Sequence, residues 1–323
     1  MGLKERAAAR QRRRDRRAAR QVVEVPAASQ PVSTAPSPIS NSPFVNLQDQ
    51  AIELSRYHGA CFLLLSGPSA KTLDLSQLTK RGIFVATVNN SGALFRPNLV
   101  CYVDRPNKIH NALWLDPAVI KSVPIQHAGP RRKQKQNTLS AKLPDGTFTQ
   151  LYRDDGQGNP VLIYPRDCPN VIFHRRNAFF RPETWLSEAS INWGNSKTQA
   201  IRNGKPHALN VMFCALKTIY SLGFRTVFLL GCDFKMNAAQ PYAINEGKPA
   251  DACAANNEIF GRIDKMMHML APSFDEASFR VYNTNYQSGL TAFPFVEYDE
   301  AIKAATNHIP QDPLDCSNWY ELR

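Results

Sequence analysis

Residues 60–69 read Ala-Cys-Phe-Leu-Leu-Leu-Ser-Gly-Pro-Ser, and this stretch decides the fold. Its run 61–65 is apolar at every position, so neither face can look at water. That is the mark of an interior strand of a parallel sheet, covered on both sides. Outward from it the same kind of run returns at 83–88 (IFVATV), 99–103 (LVCYV) and 226–230 (TVFLL). Residues 120–125 add a run broken by Pro124, and 278–282 (SFRVY) a last strand. Helices are expected at 47–57 with Asn46 as cap, at 209–222 ending on Gly223, at 255–270 and at 298–305. Strands alternating with helices predict an α/β chain: a doubly wound, mainly parallel sheet with helices on both faces.

Two regions break that rhythm. Residues 129–182 open on Gly129-Pro130-Arg131-Arg132-Lys133-Gln134-Lys135 and carry Asp145-Gly146 and Asp155-Gly156 turns between short β-like pieces. They read as an inserted, β-rich, basic subdomain. At the other break, the first 20 residues hold nine Lys and Arg against Glu5 and Asp15, which is seven of the chain's twelve net positive charges. Residues 1–21 are thus a basic arm, disordered or helical. A Pro/Ser-rich linker follows at 22–43, with five prolines from Pro26 to Pro43. The folded body is expected over 44–323.

Several classes are excluded at this stage. A chain of 323 residues that is 43% hydrophobic is not disordered throughout. No apolar run approaches the ~20 residues of a membrane helix, and the start lacks a secretory apolar stretch. A cytoplasmic protein without a membrane partner is expected. Seven cysteines with no CxxC pair read as buried, reduced thiols. The seven histidines show no metal spacing, no metal is expected, and neither an HExxH nor a GxSxG motif occurs.

Polar clusters follow the strand candidates, and in an open parallel sheet ligands bind beyond the carboxyl ends of strands. Ser66-Gly67-Pro68-Ser69 follows the first run. There Gly67 permits close backbone approach, and Ser69 offers a hydroxyl and a free N–H to a phosphate or ribose; an ordinary strand-to-helix turn explains the motif equally. Asn89 and Asn90 follow 83–88, as paired amides for a base or ribose or as turn formers. Asp104 follows 99–103, as a ligand-side acid or a helix cap. Gly231-Cys232-Asp233-Phe234 ends 226–230, with Lys235 next and Tyr242 eight residues past Phe234. Asn283 to Ser288 follow the last strand. His207, ahead of the long helix, is a candidate base. The convergence of several such clusters points more firmly to a binding site than any one of them.

The order of these motifs resembles the bacterial sialyltransferases of glycosyltransferase family 42. It also resembles the related MptE-like family of Rossmann-like proteins, which includes a pterin pyrophosphokinase, in a phage-encoded form. The resemblance runs from about residue 60 to 300, outside 129–182. It implies that Gly67, Pro68 and Ser69 form a nucleotide loop, that Asn89 holds phosphate or ribose, and that Tyr242 stabilises the leaving phosphate. Asp233 falls in the motif after the late strand. Ser66 stands where an asparagine belongs, and Lys235 where a second phosphate-binding tyrosine belongs. The family's histidine base has no counterpart between residues 243 and 267.

Three functions follow as expectations. The first is a glycosyltransferase with a nucleotide-sugar as substrate, no tightly bound cofactor and a hydroxyl acceptor. Its sharpest form transfers to hydroxymethylated pyrimidines of phage DNA in the host cytoplasm, held through Arg12, Arg13, Arg14, Arg131, Arg132 and Lys133. The second is a phosphate or pyrophosphate transferase using ATP and Mg²⁺, with Asp104 and Asp233 as metal ligands. The third is a non-catalytic nucleic-acid-binding protein, stacking bases along residues 173–180.

Overall fold

The computed structural model describes residues 42–54, 57–109, 112–130, 137–142, 147–177, 180–192, 210–237, 239–240, 242–244, 250–307, 309 and 311. The basic arm, nearly all of the linker, Arg131, Arg132, Lys133 and His207 lie outside these residues.

Strands β1 (Phe44–Val45), β2 (Ala60–Leu64), β3 (Phe84–Val88), β4 (Leu99–Cys101) and β5 (Ile120–Pro124) come first. Two hairpins follow, β6 (Ser140–Lys142) with β7 (Phe148–Gln150) and β8 (Tyr152–Asp154) with β9 (Pro160–Leu162). Next are β10 (Val171–His174) and the short pair β11 (Arg176–Asn177) and β12 (Ile191–Asn192). Helix α1 (Val211–Ser221), β13 (Thr226–Leu230), α2 (Ala250–Glu276), β14 (Arg280–Asn283) and α3 (Tyr298–Thr306) follow among the described residues. One eight-stranded sheet runs β1-β10-β5-β4-β3-β2-β13-β14, and every pairing except β1 on β10 is parallel.

All five residues of β2 are buried, as its composition requires. Cys61 and Leu63 face the layer of Phe213 and Leu216 on α1 and Met267 and Leu270 on α2. Phe62 and Leu64 face the opposite layer, with Ala301, Ile302 and Ala305 of α3. A third cluster forms where Val100, Val123 and Phe173 meet Trp114, whose ring stacks on Tyr102 at 4.3 Å. Each large apolar side chain so buried contributes about 1.5–3 kcal/mol. The six described cysteines are buried.

Two expectations change. The described residues of 47–57 form no helix. Asn46 Oδ1 accepts from the N–H groups of Gln48 and Gln50, and Asp49 turns left-handed at φ 60°. The chain doubles back until Ile52 N–H donates to Phe44 O at 2.9 Å. The stretch 129–182 does not stand wholly apart either, because β10 joins the main sheet beside β5 with Phe173 opposite Val123. Its apolar run is only three residues long, Val171 to Phe173, between a Pro169-Asn170 turn and His174 with two arginines, so the run is too short to stand out.

Among the described residues two lysines are fully buried. Lys121 of β5 donates to the carbonyls of Asp116 and Pro169, which ties the loop before β5 to the loop before β10. Lys217 of α1 donates to the carbonyls of Trp185, Glu188 and Ser190 at 2.7, 2.7 and 2.8 Å, one acceptor for each N–H of an ammonium. Burial pushes Lys217 down to about 7, while the Glu188 charge pulls the other way. In the unfolded chain it titrates near ~10.4. Between those values the unfolded chain keeps a proton that the folded chain has lost, so stability at this site rises with pH. Urea unfolding at several pH values should show wild type gaining on Lys217→Met by up to about 1.4 kcal/mol per pH unit between about pH 7 and 10. A pH-independent difference would mean that the three carbonyls keep the lysine charged throughout.

Candidate functional site

The sheet grows from β2 through β3, β4 and β5 in one direction. The chain then returns through α1 to place β13 on the other side of β2. The strand order therefore reverses between β2 and β13, and at such a point the loops on the carboxyl side part to leave a crevice. A cleft of about 330 Å³ lies there. Its walls are Ser66 and Gly67 after β2, Asn89 and Asn90 after β3, Asp104 and Lys108 after β4, and Gly231 to Met236 after β13. Tyr242, Asn210 at the start of α1, and Asn256 and Phe260 of α2 complete it.

The site is organised around Asp233. Its Oδ2 accepts the backbone N–H of Ser69 at 3.0 Å, and its Oδ1 accepts from the Asn285 amide. Gly67 N–H donates to Gly231 O at 2.9 Å, so the loops after β2 and β13 lie directly on each other. A Cβ on Gly67 would meet Asp233 Oδ2 at 2.0 Å and Gly231 O at 2.4 Å. The glycine is required by this internal contact, not by the approach of a ligand. The Ser69 N–H, expected to be free for a phosphate, is engaged by Asp233, while Ser69 Oγ is buried without a hydrogen-bond partner. Pro68 starts the 3₁₀ turn Pro68–Thr72 and, like Ser69, sits behind the cleft wall.

The loop after Asp233 is held from two sides. Phe234 has φ 49°, a conformation that bulky residues rarely adopt. Its ring packs on Phe260 with centroids 4.9 Å apart. Gly289 N–H donates to Asp233 O at 2.7 Å, and a Cβ at Gly289 would meet Phe234 O at 2.6 Å. From α2, Asn257 grips Met236, accepting its N–H at 2.7 Å and donating to its carbonyl at 3.0 Å. Lys235 is thereby presented, exposed, at the rim of the cleft. Tyr242 is placed by its neighbour, since Ala243 N–H donates to Ser66 O at 2.7 Å. Across the cleft, Asn89 is left-handed at φ 44°, and its Nδ2 donates to Asp104 Oδ2 at 3.2 Å.

Most of the sequence candidates meet here: Ser66, Gly67, Asn89, Asn90, Asp104, Gly231, Asp233, Lys235 and Tyr242 all line the cleft. Asn283 and Ser288 do not. Asn283 is buried and accepts Asn285 N–H at 3.1 Å, and Ser288 Oγ donates to Cys232 O, so both brace the wall from behind. His207 lies outside the described residues. Sequence reasoning missed Lys108, Asn210 and the face of α2 made by Asn256, Ile259 and Phe260. The i, i+3, i+4 spacing of that last set was the available signal. Asp104 and Asp233 do not make a ready Mg²⁺ pair, because both oxygens of Asp233 already accept hydrogen bonds. Among the described residues no group of three His, Cys, Asp or Glu is placed to hold a metal.

No protein-family model and no curated protein matches the chain. Among solved structures it is similar to the sialyltransferase CstII from Campylobacter jejuni in complex with a substrate analogue, cytidine-5'-monophosphate. That match has 13% identity and a TM-score of 0.38, over 74% of this chain and 84% of that one. It is similar also to the sialyltransferase CST-II in complex with a trisaccharide acceptor and CMP, at 13% identity and TM-score 0.38, over 79% of this chain and 91% of that one. Likeness at this level decides neither fold nor activity. Among the described residues no helix is long and apolar enough to cross a membrane.

Gly67→Ala should destabilise the protein by about 2–4 kcal/mol, because backbone and carboxylate atoms rather than a flexible side chain stand in the way. Asp233→Ala should cost about 1–3 kcal/mol through the orphaned Ser69 N–H. Urea midpoints at unchanged slope are the measurement.

Proposed function

We propose that the chain is a glycosyltransferase that moves a sugar from a nucleotide-activated donor to a hydroxyl acceptor. The observation that carries this reading is the meeting of Lys108, Lys235 and Tyr242 with the paired amides of Asn89 and Asn90 in one cleft at the switch point. Such a transfer puts negative charge on the phosphate as the sugar leaves. Cationic and phenolic donors already in place stabilise that charge without reorganisation. Neutral amides read the ribose or base by directional hydrogen bonds. Phe234 and Phe260, packed on each other and both lining the cleft, supply an apolar wall for a planar ring. Phosphoryl transfer through a Mg²⁺ pair is disfavoured by the engagement of Asp233.

Thermal unfolding in the presence of CMP, UDP, GDP or ADP tests the reading first. At least one of them should raise the melting temperature. Lys108→Ala and Lys235→Ala should each weaken that nucleotide about tenfold. Tyr242→Phe should lower kcat by about ten- to a thousand-fold with donor KM nearly unchanged. No stabilisation by any of the four nucleotides would sink the proposal.

The acceptor in this reading is polyanionic, DNA carrying hydroxymethylated pyrimidines in its sharpest form. Its support is the charge of the first 20 residues, nine Lys and Arg against two acids. Each cation that neutralises a phosphate releases counterions. Deletion of residues 1–43 should therefore weaken duplex binding and flatten its salt dependence, read by fluorescence anisotropy at two salt concentrations. Equal affinity and equal slope in the truncated chain would remove the arm as anchor.

A further inference from the structure

We infer that Asp104 is the base that takes the proton from the acceptor hydroxyl, a role that rests on the glycosyl-transfer reading above. Two carboxylates line the cleft among the described residues, and they are not equivalent. Asp233 has both oxygens occupied, one by the Ser69 N–H and one by the Asn285 amide, and Gly67 lies against it. A proton placed there would break the tie between the loops after β2, β13 and β14. Asp104 sits three residues beyond β4, half-buried, and among the described residues it accepts one hydrogen bond, from Asn89 Nδ2 to Oδ2. Its Oδ1 is open.

One oxygen held and one open is the arrangement a base requires. The Asn89 amide fixes the plane of the carboxylate, and Asn89 is itself fixed by its left-handed backbone. The second oxygen is left for a substrate hydroxyl within the same cleft. None of the described histidines lines the cleft. In the step, the acceptor O–H gives its proton to Asp104 Oδ1. The oxygen's electron pair forms the new bond to the anomeric carbon as the anomeric C–O bond to phosphate breaks. The pair from that broken bond leaves on the phosphate oxygen, beside Lys235 and Tyr242, and the protonated Asp104 returns its proton to water.

Water is the simplest hydroxyl acceptor, so release of free nucleotide from CMP-, UDP- and GDP-activated sugars is the assay. Wild-type kcat/KM should fall on the acid side with a slope of one as the base becomes protonated. Asp104→Asn should lower release by about 10²–10⁴-fold and abolish that acid limb. Binding of the nucleotide that best stabilises wild type should stay within about threefold, a split that a merely structural role would not produce. Asp104→Glu should recover part of the rate and restore the limb, and it serves should the Asn variant fail to fold. Wild-type release with an Asp104→Asn variant of equal rate and the same pH profile overturns the inference alone. So does loss of the limb in His207→Gln while Asp104→Asn keeps it. Strict Mg²⁺ dependence that disappears in Asp104→Asn would make Asp104 a metal ligand instead. Wild type that neither binds nor cleaves any of the donors overturns the glycosyl-transfer reading, and the base with it.

Discussion

The carboxylate of Asp233 is the constraint on which the rest of the site depends. It is held by the first turn after β2 through Ser69 and by the loop after β14 through Asn285. Three strand ends that the sheet brings near each other are thereby fixed at one point. The consequence is carried along the loop, because Phe234 can persist in a conformation unusual for its size only while its carbonyl is covered by Gly289 and its ring by Phe260. Lys235 and Met236 inherit their positions from that strained residue. A charged group whose place at a strand end suggests a ligand is instead the fastening that holds its neighbours at the cleft.

The sheet was legible because its strands are apolar on both faces. The runs at 61–65, 83–88 and 226–230 carry the composition of covered parallel strands, and the structure forms strands at all three. Helix α1 was equally plain, from a long apolar stretch ending at Gly223. What the sequence hid has two physical origins. Residues 47–57 have helical composition, yet a single left-handed residue at Asp49 and the side chain of Asn46 turn them into a return toward β1. Strand β10 hides because a four-residue edge-region strand needs little apolar sequence when β5 supplies the ladder.

The candidate site was legible as a place more than as a set of roles. Polar residues after apolar runs marked the carboxyl edge, and most of them do line the cleft. Their individual parts depend on which hydrogen bonds are already taken, and spacing carries no such information. Ser69 and Asp233 satisfy each other across 164 positions of sequence. Asn283 and Ser288 look outward in the sequence pattern and face a wall in the structure. Lys108 was passed over because it follows its strand at a distance, on the 3₁₀ turn Pro106–Lys108.

The thiols have a use of a different kind. Six cysteines are distributed through the described structure, all buried: Cys61 on β2, Cys101 on β4, Cys168 before β10, Cys214 on α1, Cys232 after β13 and Cys253 on α2. Burial pushes Cys61 far up and Cys168 to about 12, so at these two positions the reactive thiolate is suppressed while the structure is closed. Because all six are buried, an alkylating reagent reaches each one only as its own layer opens. Sheet interior, helix face and cleft wall each carry a tag of natural origin. Mass spectrometry of timed alkylation would order the layers by how readily they come apart, without a single engineered probe.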